Sequence, residues 1–498
     1  MKRFSSVSSF VLLSFACITD GYGQFEMRHL ALQDAIEIAK DQSPDALNSK
    51  QTFRASFWEY KSFKASRLPL LDLDATLPQF QRKISQQTDI TTGQQVFVPQ
   101  QYFSSDANLS LSQQIGFTGG SIFIRSGLEA VYNITDSNTI SSFLSTPVNV
   151  GLTQPIFQYN PFKWDRKIQP MKYSQAKQKY LEDVEQISIA TTNYFFNLLS
   201  AQIELKIAYT NLSNYDTLYR IAQGRYQLGK IAENDLLLLE LNFLKAQAAV
   251  ENAELALDNA LFRFKSFLRI KDTIPIELIP PSDIRFFNVN PNQAVILSQD
   301  NSSAFMDFQK RLLEAARDVN RAKLEGRFDA ELTAVVGLTK NANTLAGAYQ
   351  NPLDQQQLAL GLNIPLYDWG VARGRIKMAE SQEEIVKNSV EQEMIDFERN
   401  VYLKVVQFNM QKNQVTIAAK SDTVARKNYE VTKGRYLIGK MNSILDLNNA
   451  QIETDNAEKA YYQALETYWR NYFELRKLTL FDFRNNRPLQ FNLDDISL

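Results

Sequence analysis

One histidine and one cysteine bound the chemistry this chain can perform. His29 is the sole imidazole, so Ser–His–Asp catalysis is disfavoured, as are zinc sites built on two histidines and haem held by a histidine pair. Cys17 is the sole thiol, which leaves no internal disulfide and no cysteine-based metal site. The 8 methionines are scattered, so metal-selective transport has no support either. A pair of carboxylates for glycoside hydrolysis always exists among 55 acidic residues, but no cleft is legible around one. There is no Gly-x-x-x-x-Gly-Lys-Ser/Thr loop to cradle a nucleotide. With 54 basic residues the net charge is −1, which removes the electrostatic argument for a nucleic-acid partner. The residue types point to a protein that is not an enzyme and needs no cofactor or metal.

The N-terminus reads as an export signal over residues 1–23. Lys2 and Arg3 precede the apolar run Phe10–Ile18, and Gly21-Tyr22-Gly23 supplies small residues before a cut at Gln24. Cys17 allows a second reading, lipidation after cleavage at the cysteine; Ala16 suits it and Ser14 does not. No later window holds 18 consecutive apolar residues, so no transmembrane helix is expected. An exported chain without disulfides fits a bacterial periplasm or outer membrane.

The chain is written twice. Gly151-Leu152-Thr153-Gln154-Pro155-Ile156-Phe157 returns as Gly361-Leu362-Asn363-Ile364-Pro365-Leu366-Tyr367. Gly224-Arg225-Tyr226-Gln227-Leu228-Gly229-Lys230 returns in the same register as Gly434-Arg435-Tyr436-Leu437-Ile438-Gly439-Lys440. The period is far longer than that of solenoid arrays. Upstream, Leu71–Ala75 aligns with Ala330–Ala334 at a larger offset, so additional residues sit between about 76 and 150. We expect a first repeat over 24–273, a proline-containing linker over 274–293, a second repeat over 294–483 and a tail over 484–498.

Each repeat reads as helix, strands, long helix, return helix. A helix is expected over 31–67, broken or kinked at Pro44, and its counterpart over 294–327. Two-residue alternation then marks strands within about 69–157 and 330–367, such as Leu71, Leu73, Ala75 and Leu77 against Asp72, Asp74 and Thr76. Alternation alone fits either a half-buried soluble sheet or a wall between lipid and water. The turn Thr118-Gly119-Gly120 is tight, whereas 83–105, 133–147 and 340–356 read as long polar loops. That asymmetry favours the membrane. Six strands per chain cannot close a barrel, and an open edge in lipid leaves backbone groups unpaired, so several copies must share one. The long helix runs from Pro161 to Arg225. The return helix carries a heptad seam at Ala246, Val250, Ala253, Leu257, Ala260, Phe264 and Phe267, repeated at Ala457, Tyr461, Ala464, Tyr468, Asn471, Leu475 and Leu478.

From Leu30 to about Phe483 this ordered, doubled set of motifs resembles the TolC family of outer-membrane efflux proteins. The resemblance implies a mainly α protein with membrane β: a homotrimer whose shared strands form a β-barrel in outer-membrane lipid, continued by a coiled-coil α-helical tube in the periplasm. It implies a passive exit duct of a tripartite efflux or type I secretion system. The partners would be a periplasmic adaptor (membrane fusion) protein and an inner-membrane transporter of RND or ABC type. The six-strand count departs from the family's usual four: either the barrel is larger here, or part of 83–147 lies outside its wall.

Carried over from the family, Tyr226, Leu228, Gly229 and Lys230 form one adaptor-docking tip, and Tyr436, Ile438, Gly439 and Lys440 the other. The simpler reading is that these residues only close the helical hairpins. Asp446 matches the first position of the family's Asp-x-x-Asp pore constriction and Asn449 replaces the second. Three copies of Asp446 would form a ring of like charge that attracts cations; a helix N-terminal carboxylate is the structural alternative, and Asp235 reads as one. The competing function is a soluble periplasmic coiled-coil scaffold, which accounts for the helices but not for the strands.

Overall fold

The computed structural model describes residues 28–134, 138–272, 274–282, 284–440 and 444–490. The expected signal at 1–23, with Cys17, and the end of the 484–498 tail lie outside the described residues. In chain order the elements begin with β1 (Arg28–Ala31), α1 (Leu32–Gln42) and α2 (Pro44–Ala65). The strands β2 (Leu70–Thr88), β3 (Gln95–Gln114), β4 (Ser121–Ile134) and β5 (Thr139–Ile156) follow. Then come α3 (Pro161–Gln227), α4 (Glu233–Leu268), β6 (Ile276–Ile279), α5 (Pro291–Asn301), α6 (Ser303–Glu325), β7 (Asp329–Ala342) and β8 (Leu353–Asn363). The chain closes with α7 (Val371–Leu437), α8 (Ile444–Thr479), β9 (Phe481–Asp482) and β10 (Arg487–Pro488).

Local chemistry sets these boundaries. Pro44 breaks the first helix because Ser43 caps the second piece: its Oγ accepts from the Ala46 N–H at 3.2 Å, and a proline at N1 sacrifices no helical hydrogen bond. Ser302 caps α6 in the same way, accepting from the Phe305 N–H at 3.3 Å. Helices α3 and α7 are each 67 residues long, about 100 Å at 1.5 Å per residue. Pro170 lies inside α3 without ending it. Among the described residues no helix is long and apolar enough to cross a membrane.

The chain divides into two compact units. One takes the described residues from Arg28 to Ile38 together with those of Tyr194–Ile284. Here β1 pairs in parallel with β6, and Gln202 from α3 serves both backbone directions of β6. Its Nε2 donates to the Ile276 carbonyl at 2.7 Å and its Oε1 accepts from the Leu278 N–H at 3.2 Å. His29 faces Glu277 across this pair at 3.3 Å on the surface, which gives the only imidazole a structural role. The return helix α4 buries Ala246, Val250, Ala253 and Phe264 of the expected seam; Leu257, Ala260 and Phe267 are half-buried. Tyr194 stacks on Phe267 with centroids 4.5 Å apart.

The other unit, Ala39–Asn193 with the residues from Arg285 onward, holds a six-stranded antiparallel sheet in the order β2-β3-β4-β5-β7-β8. Six strands match the sequence reading; the loops do not. Most of 83–105 continues as strand, leaving a turn at 89–94 where the Asp89 and Gln94 backbones pair and Gly93 takes φ +71°. Gln, Ser and Thr look loop-like in isolation, but in a ladder with a wet face they are ordinary strand residues. Residues 133–147 are also mainly strand. Of 340–356, only 343–352 leaves the sheet, and it folds back so that Ala348 is fully buried, with the Ser145 hydroxyl donating to its carbonyl.

Candidate membrane face, hairpin tips and pore residues

Residues opposite one another in antiparallel strands share a face. One register row runs Leu71–Leu111–Ile124–Val150–Val336 across five strands, and every member is between 38% and 63% exposed. The adjacent row, on the other face, runs Asp72–Ser110–Arg125–Asn149–Gly337. A continuous apolar face left open beside a polar one is the pattern of a sheet between lipid and water. Close packing on the polar side depends on a glycine: a Cβ on Gly151 would lie 2.3 Å from the Phe123 ring.

Aromatic residues lie toward both ends of the apolar band. Phe80, Phe103 and Tyr132 form a register row at one end, with Phe143 against Tyr132. Phe157, Phe328, Tyr367 and Trp369 lie at the end where strands join helices. From Tyr132 to Ser121, strand β4 rises about 36 Å, or about 28 Å across a bilayer at a tilt near 40°, close to a hydrocarbon core. The polar face also carries Asp74, Asp106, Glu129, Asp329 and Glu331 in the register of Asp72, against Arg125 and Lys83, so it is predominantly acidic.

The two hairpin turns share one mechanism. At the first, Gly229 takes φ +65°, its N–H reaches the Tyr226 carbonyl at 2.8 Å and the Lys230 N–H reaches the Arg225 carbonyl at 2.8 Å. At the second, Gly439 takes φ +72°, with the corresponding bonds to Tyr436 at 3.1 Å and from Lys440 to Arg435 at 3.0 Å. Both are Schellman ends, in which a left-handed glycine ties off the last carbonyls of a long helix. Leu228 and Ile438, 74% and 66% exposed, are the apolar knobs, and Lys230 and Lys440 are exposed beside them. The tyrosines differ. Tyr226 is exposed, whereas Tyr436 is only 1% exposed.

Asp446 and Asn449 sit three residues apart on an exposed face of α8, opposite the buried Ile444, Leu447 and Gln451. Asp446 lies in the first turn of its helix, and Asp235 with Glu233 lies in the first turn of α4, where a carboxylate meets the positive end of the dipole.

One ionic cluster has no local sequence signal. Arg476 on α8 donates to Glu185 Oε1 on α3 at 2.8 Å and lies 3.8 Å from Asp482 Oδ2; the Tyr472 hydroxyl donates to Asp482 Oδ1 at 2.9 Å. The Glu185 and Asp482 side chains are almost wholly buried. Burial pushes the Glu185 carboxyl above the usual range, against the opposing charge of Arg476. Burial opposes ionisation of Asp482 too, but the hydrogen bonds from Asn485 and Tyr472 and the Arg476 charge hold it below that range. Burial also raises the Tyr472 phenol to about 12. Nearby, Glu182 on α3 accepts from both the backbone N–H and the hydroxyl of Ser303, each at 2.7 Å, fastening the start of α6.

Long paired helices in one chain with an antiparallel sheet that leaves an apolar face open are also the elements of solved outer-membrane channels. The Campylobacter jejuni CmeC outer membrane channel superposes with a TM-score of 0.64 at 15% identity, covering 93% of this chain and 87% of that one. The open-state Neisseria gonorrhoeae MtrE outer membrane channel gives 0.60 at 14% identity, covering 92% and 91%. In sequence, the Outer membrane efflux protein BepC of Brucella suis biovar 1 (strain 1330) is 20% identical over 301 residues. The match spans 58% of this chain and 62% of that protein's length, less than two thirds. The family described as Outer membrane efflux protein matches residues 124–268 and 308–479. The chain belongs to that family, whose members lie in the outer membrane.

Proposed function

We propose that this protein is the outer-membrane exit duct of an export system, a passive conduit assembled from three copies. The observation that carries the reading is the sheet: one exposed apolar face, one acidic polar face, and two edges, β2 and β8, that no strand among the described residues covers. In hydrocarbon such edges require partners. The helices support assembly as well. On α7, Leu403, Met410, Ile417, Val424 and Val431 recur every seventh residue at 49–65% exposure, a seam distinct from the one buried against α8. On α4, Leu237, Leu241, Leu244, Leu255 and Phe262 form a second exposed stripe. Seams of this kind are what a coiled-coil tube buries between helices. A soluble scaffold has no use for the apolar strands.

In this reading residues 1–23 are a cleaved export signal, and the chain is an internal duplication joined near 274–293. Its element bounds fit: α1 and α5, β2 and β7, α3 and α7 begin at corresponding places in the two halves. Asp446 and Asn449 line the constriction. Energy comes from an inner-membrane transporter through a periplasmic adaptor, which meets Tyr226, Leu228 and Lys230 on one tip and Ile438 and Lys440 on the other. Gly229 and Gly439 shape the turns.

Placing a carboxylate on each apolar knob tests the docking. The pair Leu228→Asp and Ile438→Asp should leave the assembled protein intact, since both side chains are solvated, while export in the native host falls at least tenfold. Unchanged export with both substitutions in place would remove the tips from adaptor binding.

A further inference from the structure

We infer that all six strands of every copy belong to the membrane wall, so that three copies close one eighteen-stranded barrel by pairing β8 of each with β2 of the next. The exit would then pass solutes that a twelve-stranded wall excludes. This rests on the trimeric channel reading and deepens it.

The hairpin β3–β4 decides the matter, because it makes up most of the added sequence of the first half. Were it outside the wall, its two faces would not continue those of its neighbours. They do continue them. Leu109, Leu111, Ile122 and Ile124 lie on the exposed apolar face, and Asn108, Ser110 and Arg125 on the polar one. Every neighbouring pair in the order β2, β3, β4, β5, β7, β8 is hydrogen-bonded, with register shifts at Thr76/Gln79, Arg125/Gly127 and Ser145/Asn149. Each end of the sheet then offers an uncovered strand, 19 residues of β2 and 11 of β8. β2 leaves the helices and β8 returns to them, so their pairing between copies is antiparallel and keeps the alternation of an even-numbered barrel.

The size follows from strand count. At about 4.8 Å between strands and a tilt near 40°, eighteen strands give a wall about 36 Å across, against about 24 Å for twelve. Side chains lining the inside take about 11 Å from each, leaving bores of about 25 Å and about 13 Å.

Two measurements test the inference on the full-length assembled protein. In planar bilayers, polyethylene glycols of graded size are added on the side of the strand-to-strand turns, and the largest that still lowers conductance is recorded. We expect a cutoff radius of about 12 Å, roughly twice that of a twelve-stranded wall. A cutoff near 6 Å in a conducting trimer would overturn the eighteen-stranded wall and leave the channel reading standing; no conducting trimer at all would overturn both. Separately, Leu360→Cys on β8 is combined in turn with Leu71→Cys, Leu73→Cys and Ala75→Cys on β2. Oxidation should convert one of these pairs to covalent trimers, and failure at every position, in trimers that still conduct, would refute the β8-to-β2 seam alone.

Discussion

Arg476→Ala should destabilise the helical body by about 3–5 kcal/mol, the cost of leaving buried carboxylates without their cation. Glu185 and Asp482 both face this guanidinium, and neither has solvent to turn to. Arg476 also lies over the Tyr472 and Phe473 rings at 5.5 and 5.7 Å, so packing is lost together with charge. Thermal unfolding followed by helical circular dichroism in detergent reads the effect. A change within about 0.5 kcal/mol, the level of an ordinary surface substitution, would show that the cluster does not hold α3 and α8 together.

The two carboxylates of the cluster have opposite pH slopes. Glu185 is raised in the folded state, so its contribution is fully present at low pH and declines as pH rises upward from the ordinary carboxylate range. Asp482 is lowered, so its contribution is present at neutral pH and declines as pH falls below that range. Glu185→Gln should therefore remove the stability gained on mild acidification while keeping the loss at strongly acid pH. Retention of the mild-acid gain in that variant would assign it to another group.

If Asp446 lines the constriction as proposed, Asp446→Ala should raise single-channel conductance about twofold or more, because the three side chains that narrow it would be cut back to methyl groups. The cation preference should survive in this variant. Asp72, Asp74, Asp106, Glu129, Asp329 and Glu331 remain on the polar face of the sheet, outnumbering Arg125 and Lys83. Conductance in potassium chloride gradients separates the two effects: the amplitude reports the constriction and the reversal potential reports the wall. Unchanged amplitude would take Asp446 out of the pore.

Much of this was legible in sequence because it was written twice. The doubled Gly-Arg-Tyr motif locates both hairpin turns, and left-handed Gly229 and Gly439 are the physical reason for its glycine. Alternation marks the strands because the sheet has one apolar and one polar face, so successive side chains meet different surroundings. Their length was hidden, since Gln- and Thr-rich stretches such as 83–105 read as loop until a neighbouring strand pairs with them. The tips show the limit of motif reasoning. Tyr226 and Tyr436 occupy the same motif position, yet one is exposed and the other buried, because burial depends on what packs beside the helix. The Glu185–Arg476 pair joins residues 291 apart with no periodicity to announce them.

The central claim is that three copies form one membrane channel. Its most direct test is the mass of the protein extracted from outer membranes, measured in detergent before and after heating. Expected are no extraction without detergent, a trimer that survives mild denaturant, and collapse to the single chain on heating. A detergent-free monomer from the periplasmic fraction would contradict it.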